Sequence, residues 1–183
     1  MAFIVVYDAN VLYPNLTRDL LIRIAQAGLV QAKWTEKILD ETFAPLSLDM
    51  PGTDPEKCDR LRGLVHSAIR DSLVIDYAPL IEAVTGLPDP DDRHVVAAAI
   101  KCKAQVIVTE NVRDFPASVL GKWNVEAKQP DAFVMDQVNL DSRAVYAAVV
   151  QIADTWNNPP GTFTDVLEAM ARAGLVESVA ALS

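Results

Sequence analysis

Four carboxylates occupy positions from which they could act together. Asp8 directly follows the apolar run Phe3-Ile4-Val5-Val6-Tyr7, and Glu41 falls within a helical stretch. Asp92 ends the acid-rich loop Leu87-Pro88-Asp89-Pro90-Asp91-Asp92, and Asp114 lies just beyond Val106-Ile107-Val108. Hard divalent ions such as Mg²⁺ and Mn²⁺ take carboxylate oxygens and keep several waters, so convergent acids without His or Cys suit them. The same donor set disfavours zinc. Taken singly, each acid has an ordinary use. Asp8 and Asp114 can form turns, Asp89, Asp91 and Asp92 can cap the next helix and favour its dipole, and Glu41 can be a solvated helix residue. The two histidines, His66 and His94, show no ligand spacing, and both are expected at the surface.

The acids matter only if the chain brings them to one place. Phe3 to Tyr7 is short, apolar and rich in β-branched residues, which reads as a strand buried on both faces and ending at Asp8. Leu16 to Ala27 sets Leu20, Leu21, Ile24 and Ala25 at helical spacing and stops at Gly28. Thr35 can cap a second helix through Ile38, Leu39 and Phe43, which Pro45 is expected to close. After the turn cluster Pro51-Gly52-Thr53-Asp54-Pro55, a helix places Leu61, Leu64, Val65 and Ile69 on one face, and Leu73-Val74-Ile75 reads as a second strand. Val95 to Ile100 is a short, nearly all-apolar helix, Val106-Ile107-Val108 a further strand, and Asn124-Val125-Glu126 a last one. This order predicts an α/β fold, a three-layer α/β/α sandwich with a mainly parallel central sheet. In such sheets function sits off the carboxyl ends of the strands, where Asp8 and Asp114 lie. Beyond Pro130 no strand pattern remains; helices are expected over 131–138, 142–156 and 163–174, with Asn157-Asn158-Pro159-Pro160-Gly161 as a break. The expected division is a domain over 1–130 and a helical extension over 131–183.

Composition narrows the function classes. In 183 residues, 51% are hydrophobic and 22% charged, which supports a packed globular chain. No apolar run approaches the roughly 20 residues of a membrane span. The start lacks the pattern of a secretory signal, and Cys58 and Cys102 are too few for a disulfide framework, so a reducing cytoplasm is the expected location. The net charge of −9 divides as −4 over residues 1–130 and −5 over 131–183. That argues against gripping nucleic acid over a broad basic face. It does not exclude a nucleic-acid substrate, because four acids around a divalent cation leave the rest of the first part near neutral. Lys57 and Arg60, then Arg62, His66 and Arg70, fall at helical spacings after Pro55, with Arg18 and Arg93 flanking the acids; a solvated helix face accounts for them more simply than phosphate contact. There is no Walker loop, Gly-rich dinucleotide turn, Cys-Xaa-Xaa-Cys pair or Gly-Xaa-Ser-Xaa-Gly elbow.

Read in order, Tyr7-Asp8-Ala9-Asn10-Val11-Leu12, then Glu41, then Asp89-Pro90-Asp91-Asp92 before an Ala-rich helix, then Val106-Ile107-Val108-Thr109-Glu110-Asn111-Val112-Arg113-Asp114-Phe115, the chain resembles the PIN-domain ribonuclease family over residues 3–130. The likeness is strongest to the VapC-type toxins, and the tail is similar to a helical extension in one branch of them. The resemblance implies a Mg²⁺- or Mn²⁺-dependent endoribonuclease, the toxin of a type II toxin–antitoxin system, whose metal carboxylates are Asp8, Glu41, Asp92 and Asp114. It implies hydrolysis by metal-activated water, with no nucleophilic side chain. Asn10 and Thr109 would orient the acids, Asn111 could order a metal-bound water through its amide, and Asp91 would replace Asp92 if the loop register turned it inward. The implied partners are an RNA substrate and a cognate antitoxin protein, with no membrane and with a homodimer left open. Many members carry Asp where this chain has Asn111, which keeps a contrasting reading in play: a catalytically silent PIN-like scaffold that binds RNA or protein. A haloacid-dehalogenase-like phosphatase would need Asp at Asn10, and a receiver domain would need a Lys that Thr109-Glu110-Asn111 does not supply. Asp→Asn at Asp8 or Asp92 is expected to abolish cleavage while stability holds or rises. The helices beyond Pro130 are expected to support stability or partner choice without supplying catalytic groups.

Overall fold

The structure, a computed structural model, describes residues 3–49 and 54–183. Four strands, β1 (Phe3–Tyr7), β2 (Val30–Lys33), β3 (Val106–Val108) and β4 (Glu126–Lys128), form one parallel sheet in the order β2-β1-β3-β4. The register sets Phe3 beside Val30, Tyr7 beside Val108, and Val108 beside Lys128. All four carboxyl ends therefore lie along one edge of the sheet. Val5, Val6 and Tyr7 are wholly buried, as a strand covered on both faces requires.

Nine helices surround the sheet among the described residues: α1 (Ala9–Leu12), α2 (Asn15–Gln26), α3 (Glu36–Asp49), α4 (Pro55–Ala68), α5 (Arg93–Cys102), α6 (Ala117–Leu120), α7 (Pro130–Thr155), α8 (Phe163–Arg172) and α9 (Val176–Leu182). Short 3-10 turns at Pro90–Asp92 and Val112–Asp114 precede α5 and follow β3. α2 stops where predicted: Gly28 takes φ +81 and donates its N–H to the Ala25 carbonyl. The Thr35 hydroxyl accepts from the Ile38 N–H at 3.0 Å, capping α3. Asp141, with φ −153, kinks α7 at the gap between the two helices expected there.

Three local expectations are corrected. Leu73-Val74-Ile75 is not a strand; it makes a single parallel bridge, Leu73 to Trp34, with Trp34 N–H donating to Ser72 and Val74 N–H to Trp34. The left-handed residues Asp71 and Asp76, at φ 57 and 56, turn the chain at both ends and leave too little extended length for a ladder. The strand beside β1 is instead Val30–Lys33, whose alternate residues Val30 and Ala32 face inward at the sheet edge. Pro45 does not end α3, which runs on to Asp49, although the proline cannot donate to the Glu41 carbonyl one turn earlier. The last strand lies two residues later than expected, at Glu126–Lys128. The expected turn over 51–53 lies outside the described residues.

One hydrophobic core runs through the molecule. Leu20, Leu21 and Ile24 of α2, Val95 to Ala97 of α5, and Phe133, Val145, Val149 and Ile152 of α7 all pack into it with β1. Tyr7 meets the edge of Phe133 with ring centroids 6.0 Å apart and donates its hydroxyl to the Leu21 carbonyl at 3.0 Å.

Candidate active site

Strand pairing fixes the centre of the site. Because Tyr7 is level with Val108, the next residues, Asp8 and Thr109, emerge side by side, and the Asp8 N–H donates to the Val108 carbonyl. The Asp8 carboxylate, 7% exposed, accepts from the Ala9 N–H at 2.8 Å, the Asn10 amide at 3.1 Å and the Thr109 hydroxyl at 2.9 Å. Asn10 is itself held: its amide also donates to the Thr109 hydroxyl, and its carbonyl oxygen accepts the Glu110 N–H. Thr109, wholly buried, also accepts the Asn111 N–H. Asp8 is thus both the cap of α1 and the anchored member of the acid group.

The other acids arrive from separate elements. Asp92 closes the 3-10 turn before α5, Asp114 closes the one after β3, and Glu41 projects from α3. Asp89, not Asp92, does the capping: its carboxylate accepts the Asp91 N–H at 2.8 Å. Asp91 is exposed. Among the described residues, neither Asp92 nor Asp114 makes a side-chain hydrogen bond or ion pair, so the capping explanation fails for Asp92 and leaves its carboxylate unused.

The acids share one electrostatic environment. Burial raises the pKa of Asp8, a shift opposed by its bonds from Thr109, Ala9 and Asn10 and reinforced by Asp114. Burial, and then repulsion from Asp8, Asp89, Asp114 and Glu41, pushes Asp92 up to about 6. Glu41 is raised by burial and by Asp8, Asp91 and Asp40, against the pull of Lys37. The four predicted acids therefore stand close enough to feel one another. Among the described residues, however, no three His, Cys, Asp or Glu side chains gather tightly enough to form a ready cage for a metal ion. The donor chemistry still fits a hard cation, since Mg²⁺ keeps most of its waters and binds through one or two carboxylates plus substrate phosphate. Mutual repulsion among unpaired acids is the condition that such a cation relieves.

Two residues sit otherwise than expected. Arg18 is 4% exposed and donates to the Leu12 and Tyr13 carbonyls and to Asn15, so it fixes the corner between α1 and α2 and does not flank the acids. His94 is 2% exposed, not a surface residue, and its Nε2 lies 3.0 Å from Glu41 Oε1. The signal for its burial was present: a histidine among Val95, Val96, Ala97, Ala98 and Ala99 has no solvated helix face to occupy.

Comparison with known proteins gives two family matches along the chain. The model of the PIN domain matches residues 4–113, the segment that carries Asp8, Glu41 and Asp92, and stops one residue short of Asp114. The chain belongs to the PIN-domain family. The model described as the VapC50 C-terminal domain matches residues 130–183, which are α7, α8 and α9. A 79-residue stretch is 39% identical to a Mycobacterium tuberculosis (strain ATCC 25618 / H37Rv) protein named "Putative ribonuclease VapC50", covering 43% of this chain and 47% of that protein. The match thus spans about half the length of the curated relative. No solved structure matches. In this PIN-domain chain, Asn111 follows Thr109 by two residues and is exposed, a polar side chain without charge.

Proposed function

We propose that this PIN-domain protein is an endoribonuclease dependent on Mg²⁺ or Mn²⁺, the toxin component of a type II toxin–antitoxin system. The observation that carries the reading is the gathering of Asp8, Glu41, Asp92 and Asp114 at the carboxyl edge of the sheet, where burial and then mutual repulsion raise Asp92 to about 6 and no cation pairs with Asp8, Asp92 or Asp114 among the described residues. The ribonuclease name of the M. tuberculosis relative supports it. When bound, the divalent ion supplies positive charge at the scissile phosphate and a water of lowered pKa.

The protein's own residues supply placement. Asp8 is held rigid by Ala9, Asn10 and Thr109 and offers a fixed point of attachment. Asp92 and Asp114, free of internal partners, can turn toward an ion, Glu41 reaches in from α3, and Asp91 is the reserve. Asn111 orients water through its amide. No side-chain nucleophile is required, because water attacks the phosphorus.

The same charge argument defines the partners. An acid cluster without its metal is relieved by a guanidinium, so the cognate antitoxin is a peptide that brings an Arg toward Asp8 and Asp92. Residues 1–130 form the nuclease domain and 131–183 the extension, and a homodimer is compatible with both roles. No helix among the described residues is long and apolar enough to cross a membrane, and the reading places the protein in the cytoplasm. The second reading, a silent scaffold, is favoured by one observation, the uncharged Asn111 at a rim position. Cleavage of a short RNA with Mn²⁺, with EDTA, and by the Asp92→Asn variant separates the two. Metal-dependent cleavage that Asp92→Asn abolishes supports the nuclease; binding without cleavage by the intact protein supports the scaffold.

A further inference from the structure

Glu41, unlike Asp92 and Asp114, has a basic side chain on each of two sides. It stands on an exposed stretch of α3 with its side chain 40% exposed, and Lys37 one turn earlier is 3.9 Å away. Left to itself, the carboxylate would be drawn back along α3 toward that lysine and away from Asp92. What faces it from the other side is His94, in the first turn of α5 and two residues beyond Asp92, with Nε2 at 3.0 Å.

We propose that His94 is a positioning residue: as a neutral imidazole it donates Nε2–H to Glu41 and holds that carboxylate across from Asp92, tying α3 to α5 at the metal site. The inference rests on the nuclease reading above. Three features of the site support it. His94 is 2% exposed, and its Nδ1 is buried without a hydrogen-bond partner. A proton on Nδ1 would therefore be an orphaned buried donor, whereas Nε2 has the Glu41 carboxylate 3.0 Å away, so the surroundings favour the Nε2–H tautomer. An imidazolium would carry a proton on both nitrogens and leave the buried Nδ1–H without an acceptor, so the same geometry favours the neutral ring. A neutral donor fits this place better than Lys or Arg would, because it orients the carboxylate without cancelling the charge that a divalent ion needs. An acid cluster whose orienting groups, Asn10 and Thr109 at Asp8 and His94 at Glu41, are all uncharged keeps its full attraction for a cation.

The experiment is Mn²⁺ binding to the full chain by titration calorimetry, together with kcat and KM for RNA, in wild type and in His94→Leu, His94→Gln, His94→Asn and Glu41→Gln. Gln places its amide donor near the imidazole Nε2 position, and Asn near Nδ1. His94→Leu and His94→Asn are expected to weaken Mn²⁺ binding about tenfold or more, approaching Glu41→Gln, and to lower kcat with KM for RNA little changed. His94→Gln should restore most of both. Gln supplies a donor that Leu lacks, so a shared loss of thermal stability with equal Mn²⁺ affinity in the two variants would overturn the proposal. So would His94→Leu with wild-type affinity and wild-type metal dependence of the rate, and in that case the nuclease reading stands. Wild-type protein that neither binds Mn²⁺ nor cleaves RNA removes both.

Discussion

Asp8 and Asp92 differ in what surrounds their carboxylates, so the same substitution should act oppositely on stability at the two positions. Asp92 makes no side-chain bond and is repelled by its neighbours, so Asp92→Asn removes repulsion without removing a contact. Its thermal stability without metal is expected to hold or rise, while RNA cleavage falls by orders of magnitude. Asp8 accepts three hydrogen bonds, and an Asn side chain there would set its amide donor against the Asn10 amide. Asp8→Asn is therefore expected to lose cleavage and also about 1–2 kcal/mol of stability, which revises the sequence-based expectation that both variants keep their stability. Melting curves beside cleavage assays decide this, and full activity in Asp8→Asn would sink the nuclease mechanism. Asp92 holds its proton more tightly when folded, at about 6, than the ordinary 3.8, so its contribution favours folding at low pH and is lost as pH rises through about 6. Between pH 4 and 7 the metal-free protein should therefore melt at falling temperature relative to Asp92→Asn. Parallel curves for the two proteins across that window would place Asp92 outside the acid group.

At the scale of elements, the pieces that could be read from the sequence are those decided locally. Gly28 ends α2 at φ +81 with nothing within 4 Å of where a Cβ would sit, so Gly28→Ala meets no clash and costs only the left-handed backbone, about 1 kcal/mol. A denaturant midpoint unchanged by Gly28→Ala would show that the cap is not needed. The β1 run, the Thr35 cap and the break at Asp141 were legible for the same reason, since each is written in a few adjacent residues. β2 was not. Val30-Gln31-Ala32-Lys33 alternates inward and outward, but Ala, Gln and Lys have little strand preference, and only pairing with β1 settles their state. Leu73-Val74-Ile75 has strand composition, yet the turns at Asp71 and Asp76 leave it one bridge. The acids were legible because strand ends and helix starts mark them in sequence order. The neighbour of Glu41 was not, because the approach of His94 joins α3 to α5, and no local pattern records a contact between helices that far apart in the chain.

At the scale of the whole molecule, the question is whether residues 131–183 decorate a finished domain or complete it. The extension supplies Phe133, Val134, Val145, Val149 and Ile152 to the core that contains β1 and α2, and each of these side chains is nearly or wholly out of solvent. α7 is in turn clamped to α9: Asp131 accepts the N–H groups of Glu177 and Ser178, each at 2.9 Å, and the Ser178 hydroxyl at 2.6 Å. Burying a side chain of this kind stabilises by about 1.5–3 kcal/mol. Five of them together are comparable with the roughly 5–15 kcal/mol by which a domain of this size is stable. A chain ending at Gln129 is therefore expected to show no cooperative melting transition, although the extension adds no acid to the site. Asp131→Ala tests the smaller claim. It cuts the clamp and leaves the α7 core contacts, so it should lower stability by about 1–3 kcal/mol and leave RNA cleavage at the wild-type rate below the melt. A 1–129 chain that melts cooperatively near the wild-type temperature would show instead that α7, α8 and α9 are a separate unit resting on a self-sufficient nuclease domain.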